Sequence, residues 1–167
     1  MAIVHSSGFA VAEALDAESV AACRALFAEY QQGLGVSLCF QGFDDELKTL
    51  PGNYSRPRGR LLLARIVGEP AGCVALRPLG DSDAEMKRLY IRPQYRGMGL
   101  GRVLAECVID EARSLGYRTV KLDTLPGMGE AQALYRVLGF VDAAPYNDNP
   151  IAGVRFMSID LAPPPTP

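Results

Sequence analysis

The stretch Glu85-Met86-Lys87-Arg88-Leu89-Tyr90-Ile91-Arg92-Pro93-Gln94-Tyr95-Arg96-Gly97-Met98-Gly99-Leu100-Gly101-Arg102 decides the fold. Its first half reads as a strand, with β-favouring Leu89, Tyr90 and Ile91 ended by Pro93. Its second half sets Gly97, Gly99 and Gly101 at alternate positions. Directly afterwards Leu100, Val103, Leu104, Cys107, Val108, Ala112 and Leu115 recur at steps of three and four, the period of an amphipathic helix. Strand, glycine loop and helix together present free backbone N–H groups to an anion. The first turn of a helix has donors without intrahelical partners, and its dipole favours negative charge. Glycines let a bulky diphosphate approach the backbone and allow φ values that a Cβ forbids. Arg96 and Arg102 flank the loop and can add charge-assisted bonds. The stretch therefore reads as a pyrophosphate cradle.

Two nucleotide motifs fail on named residues. In G-x-G-x-x-G counted from Gly97, Arg102 stands where the third glycine belongs. A P-loop needs Lys and Ser or Thr after its last glycine, and Gly101 is followed by Arg102 and Val103. What fits is R-x-x-G-x-G, in Arg96-Gly97-Met98-Gly99-Leu100-Gly101. This resembles the acetyl-coenzyme A signature of the GNAT superfamily of N-acetyltransferases, and Lys87-Arg88-Leu89-Tyr90-Ile91-Arg92-Pro93 looks like that family's central strand. A second segment, Ala131-Gln132-Ala133-Leu134-Tyr135-Arg136-Val137-Leu138-Gly139-Phe140, resembles the family's A-x-x-L-Y-x-x-x-G-F helix.

The resemblance implies an α+β chain with the GNAT acyl-CoA N-acyltransferase fold, a mixed and mostly antiparallel sheet flanked by helices. It implies an acyltransferase with acetyl-CoA as co-substrate, no metal, and direct transfer to an amine in a ternary complex. The cofactor contacts it implies are Leu89, Tyr90, Ile91, Arg96, Gly97, Met98, Gly99, Leu100, Gly101 and Arg102. The backbone of Leu89 to Ile91 would pair with the pantetheine arm. Tyr135 inherits the hydroxyl that protonates the departing thiolate. Thiolate expulsion is helped by a positioned acid. The bland reading of Tyr135 is a ring packed on the apolar face of its helix.

Composition suits a soluble globular protein. The chain has 167 residues, 49% hydrophobic and 22% charged, which fits one domain (taken as residues 1–162) with a sizeable core. Net charge is −2, so nucleic acid and anionic membrane are not expected partners. Yet Glu85 to Arg102 holds five Lys/Arg against one acid, gathering positive charge at the cradle. The four cysteines, Cys23, Cys39, Cys73 and Cys107, form no C-x-x-C and read as buried reduced thiols of a cytoplasmic protein. The single histidine, His5, has no partner residues near it in sequence. No apolar run approaches a membrane span, and no basic n-region precedes the short apolar stretch at the start. A monomer or homodimer is expected.

Taken in order, Gly8 to Leu15 predicts a strand, and Asp16 caps a helix with Val20, Cys23, Phe27 and Tyr30 on one face. Gln31 to Phe43 is an apolar loop. Asp44 or Asp45 is expected to cap a short helix stopped by Pro51. Arg60–Val67 and Ala71–Leu76 form a hairpin around Gly68-Glu69-Pro70. Gly80 to Asp83 turns into the motif strand, and Gly116 ends the motif helix. Thr119 to Asp123 is a strand, Glu130 to Leu138 a helix closed by Gly139, and Phe140–Ala144 and Val154–Leu161 the last strands. Residues 163–167, rich in proline, are expected to be disordered.

An amine must lose a proton before attacking a thioester, since lysine-like amines have pKa values near 10. Glu85, on the strand face that period-two geometry assigns to Glu85, Lys87, Leu89 and Ile91, is either the base or the partner of a basic neighbour. Asp123 is a second candidate. For the acceptor, the candidates are Phe40, Tyr54, Arg56, Tyr146 and Asn147. Two rival classes stand beside acetyl transfer: a non-catalytic acyl-CoA sensor using the same cradle, and a nucleotide-binding regulatory domain that the failed motifs argue against.

Overall fold

The computed structural model describes residues 2–4 and 8–161; His5 and residues 163–167 lie outside them. Twelve regular elements follow in the order β1 (Ala2–Val4), β2 (Phe9–Glu13), α1 (Ala17–Leu34), α2 (Phe43–Thr49), β3 (Arg60–Ile66), β4 (Glu69–Leu79), β5 (Asp83–Ile91), α3 (Leu100–Ser114), β6 (Thr119–Thr124), α4 (Gly129–Leu138), β7 (Val141–Asp142) and β8 (Arg155–Asp160). The strands form one eight-stranded sheet in the order β1-β2-β3-β4-β5-β6-β8-β7. Every pairing is antiparallel except β5 with β6. The expected mixed, mostly antiparallel sheet flanked by helices is what the chain forms.

Both faces of the sheet are covered, which is why its central strands read as nearly continuous apolar runs. Leu62, Ala64, Val74 and Leu76 point to α3, packing with Leu100, Leu104 and Val108. Leu61, Leu63, Cys73 and Ala75 point the other way, to Cys23, Leu26 and Phe27 of α1. Asp16 caps α1 as expected, accepting from the Ser19 amide at 2.7 Å. The cap of α2 differs. That helix begins at Phe43 after Gly42 (φ 68°) with no side-chain cap, and Asp44 and Asp45 lie inside its first turn. There they face the positive end of the helix dipole instead. Cys39 is exposed, in a 3₁₀ turn, while Cys23, Cys73 and Cys107 are buried; all four are free thiols. The terminal strands are shorter than the sequence suggests, β7 being two residues long.

One irregularity positions the site. In the β4–β5 ladder Cys73 pairs with Tyr90 and Ala75 with Lys87, so Val74 alone opposes Arg88 and Leu89. This is a β-bulge, and Arg88 takes φ 60° there. The extra residue overturns the expected face. Glu85 and Lys87 share the α1 side with Tyr90, not with Leu89 and Ile91, which pack against the α3 side with Met86. A second irregularity lies beside it. β5 and β6 pair only through Asp83–Thr119, Ala84–Val120 and Glu85–Lys121. Beyond these pairs the two strands run on to Ile91 and Thr124 without bonding to each other, and the sheet forks.

Candidate active site

A cavity of about 720 Å³ runs from the fork to the glycine loop. Leu89, Tyr90, Ile91, Arg96, Gly97, Gly99, Leu100, Gly101 and Arg102 line it, whereas Met98 points to solvent, 48% exposed. Gly97 (φ 80°) and Gly99 (φ 82°) are in the left-handed region, which favours glycine, and Gly99 is the residue before α3. A Cβ on either would meet nothing within 4 Å. The loop is thus open to a ligand, and the amides of the first turn of α3 have no intrahelical partner by helix geometry. Gly101 is different, since a Cβ there would sit 3.8 Å from Ile91 and Leu134 in ordinary contact. Arg96 donates Nε to the Ile91 carbonyl at 3.0 Å and stacks over Tyr90, while Arg102 pairs with Glu106 at 2.9 Å.

At the fork the cavity meets a narrow space of about 40 Å³ lined by Lys87, Leu89, Asp123, Met128 and Tyr135, among others. Tyr135 is 7% exposed on α4, its ring 5.7 Å from that of Phe140. Burial pushes its hydroxyl well above the ordinary phenol value, with Tyr30 and Asp123 adding to the rise. Packing and access to the fork are therefore both true of this tyrosine.

Glu85 is fully buried, and both its oxygens are engaged. Arg77 donates Nε to Oε1 at 2.7 Å, the Tyr146 hydroxyl donates to Oε2 at 2.6 Å, and the Lys87 ammonium is 3.7 Å from Oε2. Lys87 also donates to Gln41 Oε1 at 3.2 Å; its burial lowers its pKa, and Glu85 opposes the fall. Arg88, turned inward by the bulge, bonds Glu46 at 2.9 and 3.0 Å and Gln41 at 2.9 Å, its guanidinium over the Phe43 ring. Asp123 presents a different picture. Its Oδ2 accepts from Asn147 at 3.0 Å and Asn149 at 3.2 Å, while its Oδ1 makes no hydrogen bond among the described residues.

The acceptor candidates scatter. Tyr146 and Asn147 sit in the β7–β8 connection and hold Glu85 and Asp123. Tyr54 lines a separate cavity beneath α2. Arg56 is not brought to the fork: its side chain forks onto Glu13, with Nη2 to Oε2 at 2.6 Å. The Phe40 side chain is outside the description. Sequence reasoning missed Arg77 and Glu46. Arg77 was within reach of it, because the turn after Leu79 sets Leu79 against Asp83 and so Arg77 against Glu85.

Residues 20–140 match the profile of the Acetyltransferase (GNAT) family, well over half of the chain. The chain belongs to that family. An N-acetyltransferase of Schizosaccharomyces pombe is 42% identical to it over 139 residues, covering 82% of this chain and 85% of its own. The structure of an acetyltransferase from Streptococcus agalactiae superposes with a TM-score of 0.76 at 21% identity, over 92% of this chain and 99% of that one. A Bacillus subtilis acetyltransferase solved in complex with CoA superposes with a TM-score of 0.55 at 21% identity, over 63% and 78% of the two chains. Among the described residues of this GNAT chain, no cluster of His, Cys, Asp or Glu suits a metal ion, and no helix is long and apolar enough to cross a membrane.

Proposed function

We propose that this GNAT protein transfers acetyl from acetyl-CoA directly to an amine of a small molecule or peptide, both substrates being bound together. The observation that carries the reading is the fork. Strand β5 loses its partner after Glu85 and leaves backbone donors and acceptors facing a cavity that ends on the amides of α3. A pantetheine arm can pair with that edge, as an added strand would, while the diphosphate rests at the helix N-terminus. The CoA held by the Bacillus subtilis relative supports the same ligand class here.

Transfer requires the amine nitrogen to lose a proton, attack the thioester carbon, and expel sulfur as the tetrahedral intermediate collapses. Tyr135 supplies the proton to the departing thiolate; its raised pKa keeps it protonated at neutral pH. For the base, the free Oδ1 of Asp123 favours direct contact with the amine. Glu85 is fully buried and reaches the amine through intermediaries, the half-buried Tyr146 hydroxyl and the Lys87 ammonium that lines the fork. The test is initial-rate measurement of CoA release over a panel of amines, with calorimetry of acetyl-CoA binding on the same protein. Turnover of an amine with a ternary kinetic pattern is expected. Tight acetyl-CoA binding without turnover of any amine would make the chain a sensor, and no binding would refute the reading outright.

A further inference from the structure

The two cavities that meet at the fork differ sharply in size, about 720 Å³ against about 40 Å³. Tyr30, Leu89, Met128 and Ala131 line both, and so form the partition between them. Tyr135 lines only the narrow space. The transfer reading puts the thioester sulfur at the Tyr135 hydroxyl, so the acyl carbons lie in that space as well. Most of its apolar walls are backed by packed core. Met86, Leu122 and Tyr135 are buried in the core on the α3 side, and Leu89 and Ala131 pack against it. Tyr30 packs against the core on the α1 side. Met128 is the apolar wall that joins neither core among the described residues. It is nevertheless held in place. Its amide donates to the Leu125 carbonyl and its carbonyl accepts from the Gln132 amide, each at 3.0 Å. Its sulfur accepts from Thr124 Oγ1 at 3.8 Å, and Thr124 is itself buried in β6.

We propose that Met128 sets the acyl length this chain accepts, confining the donor to acetyl-CoA and turning away thioesters of butyryl size and longer. An apolar cavity of about 150 Å³ takes one benzene ring, so each carbon needs roughly 25 Å³. By that measure the narrow space takes about two carbons, enough for an acetyl group and not for the four of a butyryl group. Pressing two more methylenes against packed walls costs free energy as overpacking a core does. Only on the Met128 side, where no core stands behind the wall, can one truncation make room without hollowing the fold.

The place of the acyl group comes from the acetyl-transfer reading, but binding alone tests the wall, with no acceptor amine present. Calorimetry compares acetyl-CoA and butyryl-CoA on the parent, on Met128→Ala and on Met128→Leu. The parent should bind butyryl-CoA roughly tenfold or more weaker than acetyl-CoA, the scale on which a filled pocket discriminates a methylene. Met128→Ala should bring that ratio close to one, and Met128→Leu, which nearly conserves volume, should keep it. Each ratio is taken within one protein, so a general loosening of the loop cancels from it. Equal affinities for the two thioesters in the parent, or an undiminished ratio in Met128→Ala, overturn the inference. The transfer reading fails on a different measurement. Thioesters bound with this discrimination but never passed to an amine refute transfer and uphold the wall. Amines acylated equally well from acetyl-CoA and butyryl-CoA uphold transfer and refute the wall.

Discussion

The two ends of the proposed active site are built in opposite ways. The cofactor end, Leu89 to Arg102, is one continuous piece of chain that works mostly through its backbone: a free strand edge, two glycines at positive φ, and a helix N-terminus. The acceptor end is assembled from side chains of distant segments, with Gln41 and Glu46 near α2, Arg77 from β4, Glu85 to Arg88 from β5, Asp123 from β6 and Tyr146 to Asn149 from the last connection. Backbone recognition tolerates many side chains and fixes a constant ligand. Side-chain recognition is sensitive to each residue and is where an acceptor is chosen.

The sharpest test acts where the two ends meet. Tyr135→Phe removes only the oxygen, so turnover should fall roughly 10²–10⁴-fold while acetyl-CoA affinity stays within a few-fold. Because burial raises the hydroxyl's pKa, the parent's rate should show no alkaline decline from Tyr135 below about pH 10. Steady-state rates, a pH profile and calorimetry on one preparation check all of this, and parental turnover in a stable variant would assign the proton to water.

Next come the two carboxylates, which the comparison separates. Asp123→Asn should cost roughly 10²-fold in turnover at neutral pH, with partial recovery as the amine deprotonates at higher pH, and should hardly change the melting curve. Glu85→Gln should do the reverse in emphasis. It leaves Arg77 and Lys87 uncompensated around a fully buried site, and removing one partner of such a pair destabilises by about 3 kcal/mol. Urea melts and rates on both variants distinguish them. A Glu85→Gln protein as stable as the parent, with turnover lost, would restore Glu85 as the base.

Gly99→Ala probes the backbone end. A Cβ at φ 82° strains the turn by about 1–2 kcal/mol and tilts the first amides of α3, so acetyl-CoA affinity should fall roughly tenfold with the acceptor's KM unchanged. The same change at Gly101, whose Cβ finds ordinary contacts, should matter less. Calorimetry of both proteins gives the order.

The smallest effect belongs to neither end. Asp16 caps α1, the helix that brings Tyr30 to the fork, and its bond from the Ser19 amide holds its pKa below the usual carboxylate value. A depressed folded pKa contributes stability that is present above about pH 4 and lost as the pH drops through the lower folded value. Asp16→Ala should therefore melt slightly earlier than the parent at pH 7, and the gap should close in acid. A gap that persists at low pH would mean the cap acts through something other than charge.

The backbone end was legible in the sequence because glycine at alternate positions, a preceding strand and a following 3.6-residue period are local signals. So were the cap at Asp16 and the helix bearing Tyr135. The acceptor end was not, since nothing near Gln41 announces that it bonds Lys87 and Arg88, and nothing near Asn149 that it bonds Asp123. The face of β5 was misjudged for a definite reason. Period-two counting assumes one residue opposite one residue, and Val74 opposes two.

That bulge makes the length of β5 as informative as its composition. Deleting Arg88 would restore one residue opposite one residue and leave the others on their present faces, with Glu85, Lys87 and Tyr90 toward α1 and Met86, Leu89 and Ile91 toward α3. The loss would fall on the bonds from Arg88 to Glu46 and Gln41. Deleting Leu89 instead would set Arg88 alone opposite Val74 and turn its charge into the apolar layer. Within these nine residues of β5, the two neighbouring deletions should therefore differ, and single-residue deletion scanning with a solubility readout would find the deeper minimum at Leu89.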